Sequence, residues 1–252
     1  MMKAFKIIAA IAFCALLILV VPWLITRAER PDLYFNLTSV ALLSIASAGV
    51  WLTFYMGRIN IGQAAYALIG GYTSAILVLK YGFSFWLSLP LAGLLCALAS
   101  ILIGLPILRL RGVYFAMITL VLTEVTRMLA LALPITNGAS GMINIPLPKA
   151  VKIFGLTLIP DFSSLANTKQ AFYLMSVILM ILCYAGLFRL VHSRIGRLCQ
   201  SLQQNEELAA SIGVNVANLR IIAYAISSFL GVLGGDFCGN LAVCLSFKFY
   251  RQ

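Results

Sequence analysis

The 252-residue chain is too apolar to be a water-soluble domain: hydrophobic residues make up 62% of the sequence and charged residues 10%, whereas soluble domains are about half apolar and about a quarter charged. The net charge of +11 comes from Lys and Arg residues scattered between apolar runs, so it does not indicate the single basic patch of a nucleic-acid-binding protein. We therefore expect a membrane protein that contacts lipid and no nucleic acid.

The apolar runs are long enough to cross a bilayer as helices. A spanning helix needs about 20 residues for about 30 Å of hydrocarbon, and continuous rather than alternating runs favour helices over a barrel. The sequence predicts an all-α, polytopic transmembrane helix bundle that forms a single membrane-spanning domain over residues 1–252. The seven predicted spans are 5–25, 33–56, 61–79, 85–108, 113–135, 171–191 and 219–238.

The first run has the basic start of a signal peptide, but it is longer than the usual apolar region of one and no small-residue cleavage site follows it. We interpret it as a retained span. With a cytoplasmic N-terminus, the inner stretches hold more Lys and Arg than the outer ones, as the positive-inside rule requires. This orientation also places the polar segment 192–218 in the cytoplasm.

The third predicted span carries polar residues and glycines together. Asn60, Gln63 and Thr73 bring hydrogen-bonding groups to membrane depth, where polar groups are expensive unless they are buried in protein or face a water-filled cavity. Gly70 and Gly71 allow helices to approach closely or to break. We assign these five residues to a substrate pathway, and the alternative is that they only join packed helices.

Glu124 and Arg127 lie inside the fifth predicted span. Their i, i+3 spacing puts them on one face, so that they can pair. Such a pair inside a membrane is either a structural tether between helices or part of the lining for a zwitterionic substrate. We include both residues in the predicted pathway.

The turn-rich segment 137–141, between Pro134 and Pro146, is either a plain connector or a functional outer loop. The segment 194–215 predicts an amphipathic helix outside the bilayer, since apolar residues recur at helical spacing and Gly213 can end a helix. This helix either docks on a partner or lies on lipid headgroups, and the acidic residues at 206–207 argue against lipid.

Four segments resemble the branched-chain amino acid permease family of ABC importers. Residues 56–73 are similar to the family's signature at the start of the third span, and residues 108–120 to the one that opens the fifth. Residues 135–146 look like its outer loop, and residues 201–213 look like its cytoplasmic coupling loop. The resemblance covers most of the chain, from about residue 56 to residue 235.

The resemblance implies a permease subunit in the bacterial inner membrane that imports branched-chain or related amino acids. It also implies ATPase subunits, a second permease subunit and an external substrate-binding protein as partners. In the coupling loop, about 192–218, the residues it implies for coupling to the ATPase are Arg194, Gly196, Glu206, Ala209, Ser211 and Gly213. The alternatives are the same type of importer for urea or short amides, an ion-coupled secondary transporter that uses Glu124, and a membrane scaffold.

The sequence offers no catalytic machinery of its own. It contains no phosphate-binding loop of the GxxxxGK[ST] type, so ATP must be hydrolysed by a separate subunit. His192 is the single histidine, which makes a metal site or a catalytic triad improbable. We expect no bound cofactor, no metal and no enzymatic activity.

The end of the chain departs from the family pattern after Gly235. Residues 241–247 are apolar, but seven residues in a helix reach only about 10 Å. The family continues with at least one more span and a basic tail. We therefore expect the C-terminal spans of the family to be missing, and we expect the chain alone to assemble poorly and to transport little.

Overall fold

The computed structural model describes residues 16–27, 32–110, 112–138, 141–142, 151–153, 156–159, 168–211 and 213–249, with the backbone alone after residue 235. Within these ranges the chain is a bundle of helices. A π-helical turn (Leu16–Val20) leads into the first helix, and a 3₁₀ turn (Pro134–Thr136) follows the fifth. The helices are α1 (Val21–Arg27), α2 (Asp32–Tyr55), α3 (Gln63–Leu79), α4 (Phe85–Ile107), α5 (Val113–Ala132), α6 (Thr168–Val191), α7 (Arg194–Gln204), α8 (Glu206–Ser211) and α9 (Val216–Phe249).

Five helices in the described ranges are long and apolar enough to cross a membrane, which confirms the polytopic helical bundle. These helices are α2, α4, α5, Lys169–Val191 of α6 and Val216–Gly235 of α9. The third predicted span forms α3, which has 17 residues and is shorter than the others. Only the last part of the first predicted span lies inside the described residues.

Two features differ from the sequence-based expectation. Helix α9 contains the seventh predicted span. It continues without a break to Phe249, beyond the predicted end at residue 238. No proline interrupts this stretch, and glycine lowers helix stability without forcing a helix to end. The second feature is a short antiparallel hairpin, β1 (Val151–Ile153) and β2 (Leu156–Ile159), in the connection between α5 and α6.

Helix α9 lies at the centre of the bundle and packs against α2, α3 and α4. Its small residues make this possible. A Cβ atom on Gly235 would lie 2.4 Å from the Ala67 carbonyl oxygen of α3, and one on Gly231 would lie 2.6 Å from Gln63 Nε2. The close packing of α9 on α3 therefore requires glycine at both positions.

A second strip of small residues on α4 faces the same helix. The Ser228 hydroxyl of α9 donates a hydrogen bond of 2.7 Å to the Ser100 hydroxyl. A Cβ atom on Gly104 would lie 2.9 Å from the Tyr224 ring. Both contacts require the close helix approach that small residues permit.

The two edges of the bundle are formed by different helices. At one edge α6 packs on α2, and the N-terminal helical segment adds to that edge through a 2.9 Å hydrogen bond from the Tyr173 hydroxyl to the Leu17 carbonyl. At the other edge α5 packs on α3 and α4 through one narrow face. The buried residues of that face are Phe115, Thr119, Thr126 and Ala130.

Candidate functional site

The polar residues at the start of α3 form a buried hydrogen-bond network between helices. The Gln63 amide donates to the Ser227 carbonyl of α9 at 2.8 Å and accepts from the Ser227 hydroxyl at 3.1 Å. The same hydroxyl lies 2.8 Å from the Gly49 carbonyl of α2. Asn60 is 1% exposed and lies 3.5 Å from the Gln63 side chain. The network joins three helices, which is the packing role that the sequence left open as the alternative.

The two glycines of α3 contact α9 differently. A Cβ atom on Gly70 would lie 2.4 Å from a methyl group of Val232, whereas one on Gly71 would lie 3.6 Å from the Gly235 carbonyl oxygen. Gly70 therefore permits a close approach and Gly71 has ordinary room. The hydroxyl of Thr73 donates to the Ile69 carbonyl of its own helix at 2.7 Å, so it needs no partner from another element.

Glu124 and Arg127 form the ion pair that their spacing predicts. Arg127 Nη2 lies 2.5 Å from Glu124 Oε1, and its Nε lies 3.1 Å from both carboxylate oxygens. Both side chains are about half exposed, at 51% and 54%. The pair belongs to one helix and points away from the bundle, so within the described residues it does not join two helices.

The structure therefore does not bring the seven predicted pathway residues to one place. One group lies against α9 and consists of Gln63, Gly70 and Gly71, with Asn60 beside Gln63. The ion pair lies on the outer face of α5. Their assignment to a substrate pathway stays a prediction.

Sequence reasoning missed two connections beside this network. The Tyr66 hydroxyl of α3 donates to the Tyr224 hydroxyl of α9 at 2.9 Å, and both rings are fully buried. Arg58, which is 5% exposed, donates to the Leu110 carbonyl, and its guanidinium lies 5.7 Å from the centre of the Phe115 ring. No signal in the sequence identifies which carbonyl the Arg58 side chain reaches.

The cytoplasmic segment predicted as one amphipathic helix forms two helices, α7 and α8. Their inner face packs on the ends of α2 and α9, and Cys199, Leu202 and Ala209 are buried in that contact with Met56 and Leu219. Burial raises the pKa of the Cys199 thiol. The segment is therefore fixed to the membrane bundle by an apolar core of its own.

Glycine and capping residues fix the direction of the segment. A Cβ atom on Gly196, in the first turn of α7, would lie 2.1 Å from the Val191 carbonyl oxygen at the end of α6, so a side chain here would push the two helices apart. The Ser193 side chain caps α7 by accepting from the Gly196 amide at 3.5 Å. Gly213, at φ +85°, allows the chain to turn after α8. The predicted end of the helix at Gly213 is confirmed.

Glu206, one of the predicted coupling residues, takes part in an ion pair within the chain. Its carboxylate pairs with Arg220 at the start of α9, and the two side chains are 27% and 11% exposed. This residue therefore ties α8 to α9. Arg194 and Ser211 are exposed and Ala209 is buried, so the six predicted coupling residues divide between an inner and an outer face.

The outer face of α8 and of the end of α7 is exposed. We call this the docking face, and it consists of Gln204, Glu207, Leu208 and Ser211, all exposed. Leu208 is 64% exposed.

The outer segment after α5 is described only in part. Asn137 has φ +65° and its side-chain amide donates to the Gly141 carbonyl at 3.2 Å, while the Thr136 hydroxyl closes the helix end on the Ala130 carbonyl at 2.6 Å. This is the turn that the sequence predicts at residue 137. The remainder of the predicted outer loop, residues 139–140 and 143–146, lies outside the described residues.

His192 is exposed and lies at the end of α6, where its ring Nδ1 is 2.9 Å from the Phe188 carbonyl. Among the described residues no group of three or more His, Cys, Asp or Glu side chains could hold a metal ion.

The helical bundle, its buried interhelical polar network and its candidate membrane spans define a multi-pass membrane protein. Residues 33–241 match the family described as the branched-chain amino acid transport system / permease component. The chain belongs to this family, whose members are transport permease components rather than enzymes. With five candidate spans, it is a protein of the bacterial inner membrane.

Three curated proteins illustrate the relationship. The chain is 34% identical over 201 residues to the high-affinity branched-chain amino acid transport system permease protein LivM of Salmonella typhimurium, covering 73% of this chain and 47% of the relative. It is 32% identical over 243 residues to LivM of Escherichia coli, covering 90% of this chain and 56% of the relative. It is 27% identical over 206 residues to the guanosine ABC transporter permease protein NupQ of Bacillus subtilis, covering 79% of this chain and 64% of the relative.

The chain thus spans about half the length of the two LivM proteins, 47% and 56%. No solved structure matches it significantly.

Proposed function

We propose that this chain is the permease subunit of an ATP-binding cassette importer that moves branched-chain or related amino acids across the inner membrane. The observation that carries the proposal is the family match over residues 33–241. The sequence contains no phosphate-binding loop of the GxxxxGK[ST] type, so the energy would come from separate ATPase subunits. An external substrate-binding protein would deliver the substrate to the side of the outer segment.

The substrate class is supported by the relatives. Both LivM proteins, at 34% and 32% identity, are named for branched-chain amino acids, whereas the guanosine permease is less similar at 27%. Branched-chain amino acids are therefore the first candidates. The guanosine relative shows that similar chains are named for other substrates, so guanosine belongs in any uptake assay beside leucine, urea and a short amide.

The docking face is the part of the structure that best fits a contact with an ATPase. The apolar inner face of α7 and α8 is anchored on α2 and α9, so a push on the outer face would reach the central helix of the bundle. A two-state transporter needs such a rigid connection between the ATPase and the spans. The exposed Leu208 and Glu207 would make the contact.

A charged residue at the centre of the docking face tests this role. We expect Leu208→Asp to reduce co-purification of the ATPase subunits strongly, because truncating or charging a central apolar contact commonly costs about 2 kcal/mol or more of binding free energy. Leu110→Asp is the matched control, since Leu110 is also partly exposed, at 37%, but lies in the α4–α5 connection. If both variants retain the ATPase equally, the docking face is wrongly assigned.

A further inference from the structure

The loop between α2 and α3, residues 56–62, lies against α7 on one side. A Cβ atom on Gly57 would lie 3.3 Å from the Cα atom of Gln203 in α7. The Gln203 side chain also donates to the Phe54 carbonyl at the end of α2, at 3.5 Å. Met56 is 2% exposed and packs in the apolar core that α7 and α8 form with α9. The start of the loop is therefore held by α7.

The other side of the loop is attached to α5 at two places. Arg58 donates to the Leu110 carbonyl just before α5, and its guanidinium lies 5.7 Å from the centre of the Phe115 ring. The Ile61 amide donates to the Thr119 hydroxyl at 3.2 Å. Both attachments lie in or just before the first half of α5, so the loop fixes the position of that half.

Hydrogen bonds make the loop itself rigid. The Arg58 amide donates to the Thr53 carbonyl of α2 at 3.0 Å. At the other end, the Gly62 amide donates to the Asn60 side chain at 2.9 Å, and Asn60 is 1% exposed. A connection whose two ends are both fixed moves as a unit, which is what transmission between packed elements requires.

Helix α5 is the element that such a connection could displace. Among the described residues, α5 shares no extensive contact of its own with α7 or α8. The buried share of its spanning stretch is 28%, against 44% for α2 and 56% for α9. Low local packing allows an element to move while the rest of the fold stays in place. Helix α9 also lies between α7 and α5, but it is packed on several sides.

We infer that loop 56–62 transmits a movement of α7 and α8 to α5, and that Arg58 is the residue that makes the connection. The inference rests on the proposed function, in which an ATPase pushes on the docking face, and it adds the helix that responds. The Arg58 guanidinium is planar, always charged and directs its donors in fixed directions. A shift of the loop therefore displaces the Leu110 carbonyl and the Phe115 ring with it. Arg58 is a positioning residue, since it acts through α5.

The test is to measure uptake of radiolabelled leucine and ATP hydrolysis side by side in proteoliposomes that hold the whole complex. We expect Arg58→Met to retain the ATPase subunits and their ATP hydrolysis. Leucine taken up per ATP hydrolysed should fall about tenfold, the scale of one lost hydrogen bond to a charged group. Arg109→Met is the matched control, because Arg109 is exposed in the same α4–α5 connection. Arg58→Lys, which keeps the charge and one donor, should recover part of the ratio.

Thr119→Val tests the second attachment without removing a charge, in case the Arg58→Met complex does not assemble. It should also lower the amount of leucine taken up per ATP. The inference is overturned if both variants leave this ratio unchanged. It is equally overturned if uptake and ATP hydrolysis fall in parallel, as they would in a bundle that is only less stable.

Hydrogen–deuterium exchange of the full chain in detergent tests the connection without partners. We expect Gln203→Ala to raise exchange in the second and third turns of α5, residues 117–123. It should add nothing in the Arg58→Met variant, since both changes break one connection. A rise confined to α7 and the end of α2 overturns the inference. A wild-type complex without ATP-dependent leucine uptake rejects the proposed function, and the exchange measurement then decides the connection by itself.

Discussion

At the scale of single residues, the polar groups of α3 act first as connections between helices. Gln63 is 5% exposed and exchanges two hydrogen bonds with Ser227. Its amide also lies where a Cβ atom on Gly49 or Gly231 would be, at 2.2 and 2.6 Å. The two glycines thus form the pocket into which the glutamine amide fits.

We expect Gln63→Ala to destabilise the bundle by about 1–2 kcal/mol, the scale of hydrogen bonds between membrane helices. The substitution leaves the Ser227 hydroxyl without one of its partners and opens a void between α3 and α9. Thermal unfolding in a mild detergent should show a lower midpoint. Gln204→Ala is the control because Gln204 is exposed, and equal midpoints for the two variants would contradict the network.

The adjacent glycines Gly70 and Gly71 offer a sharper comparison. We expect Gly70→Ala to lower the unfolding midpoint, because its methyl group would lie 2.4 Å from Val232, while Gly71→Ala should change little, since its nearest contact is 3.6 Å. Val232→Ala should restore part of the loss in the Gly70 variant. The same thermal assay checks all three, and a larger loss at Gly71 than at Gly70 would contradict the packing.

The sequence could identify these residues as special without showing what each one touches. Polar and small residues in an apolar span can be recognised from the sequence alone. Asn60, Gln63 and Gly70 could therefore be identified as unusual. The partner of Gln63, Ser227, lies 164 residues away in the sequence, whereas Asn60 bonds to the neighbouring Gly62 and Gln63. No local pattern encodes that register, so a pathway and a packing contact remained equally compatible with the sequence.

At the scale of elements, the helices were predicted well and their ends less well. Long apolar runs fixed α2, α4, α5 and α6, because about 20 apolar residues allow few alternatives. Helix α9 extends beyond the predicted end at residue 238, since glycine and aspartate do not remove a backbone donor as proline does. The sequence did not predict the division of the segment after α6 into α7 and α8. Asn205 causes the division by capping α8, because its side-chain oxygen accepts a 3.1 Å hydrogen bond from the Leu208 amide.

The pair Glu206–Arg220 holds α8 against α9, and this changes the meaning of a mutation there. We expect Glu206→Arg to reduce ATPase association indirectly, because two arginines would then face each other and loosen α8. Hydrogen–deuterium exchange should rise across residues 206–211. The double variant Glu206→Arg/Arg220→Glu should restore slow exchange. If this double variant does not recover ATPase association, Glu206 contacts the ATPase directly.

At the scale of the whole molecule, the bundle has one closely packed central helix, and its edge helices are covered by their neighbours to a smaller extent. Helix α9 is covered on several sides by α2, α3 and α4, whereas α5 keeps most of its surface exposed. In the predicted orientation, the docking face lies at the cytoplasmic end of the same bundle.

The central claim is that this chain carries substrate in an ATP-driven complex, and one uptake experiment tests it most directly. The chain is reconstituted in proteoliposomes with its ATPase subunits and the second permease subunit, and radiolabelled leucine is supplied with the external binding protein. We expect uptake that requires ATP in the compartment that the ATPase subunits face and that persists when ionophores collapse the ion gradients. Uptake that proceeds without ATP and disappears with the ion gradient would contradict it and would identify a secondary transporter instead.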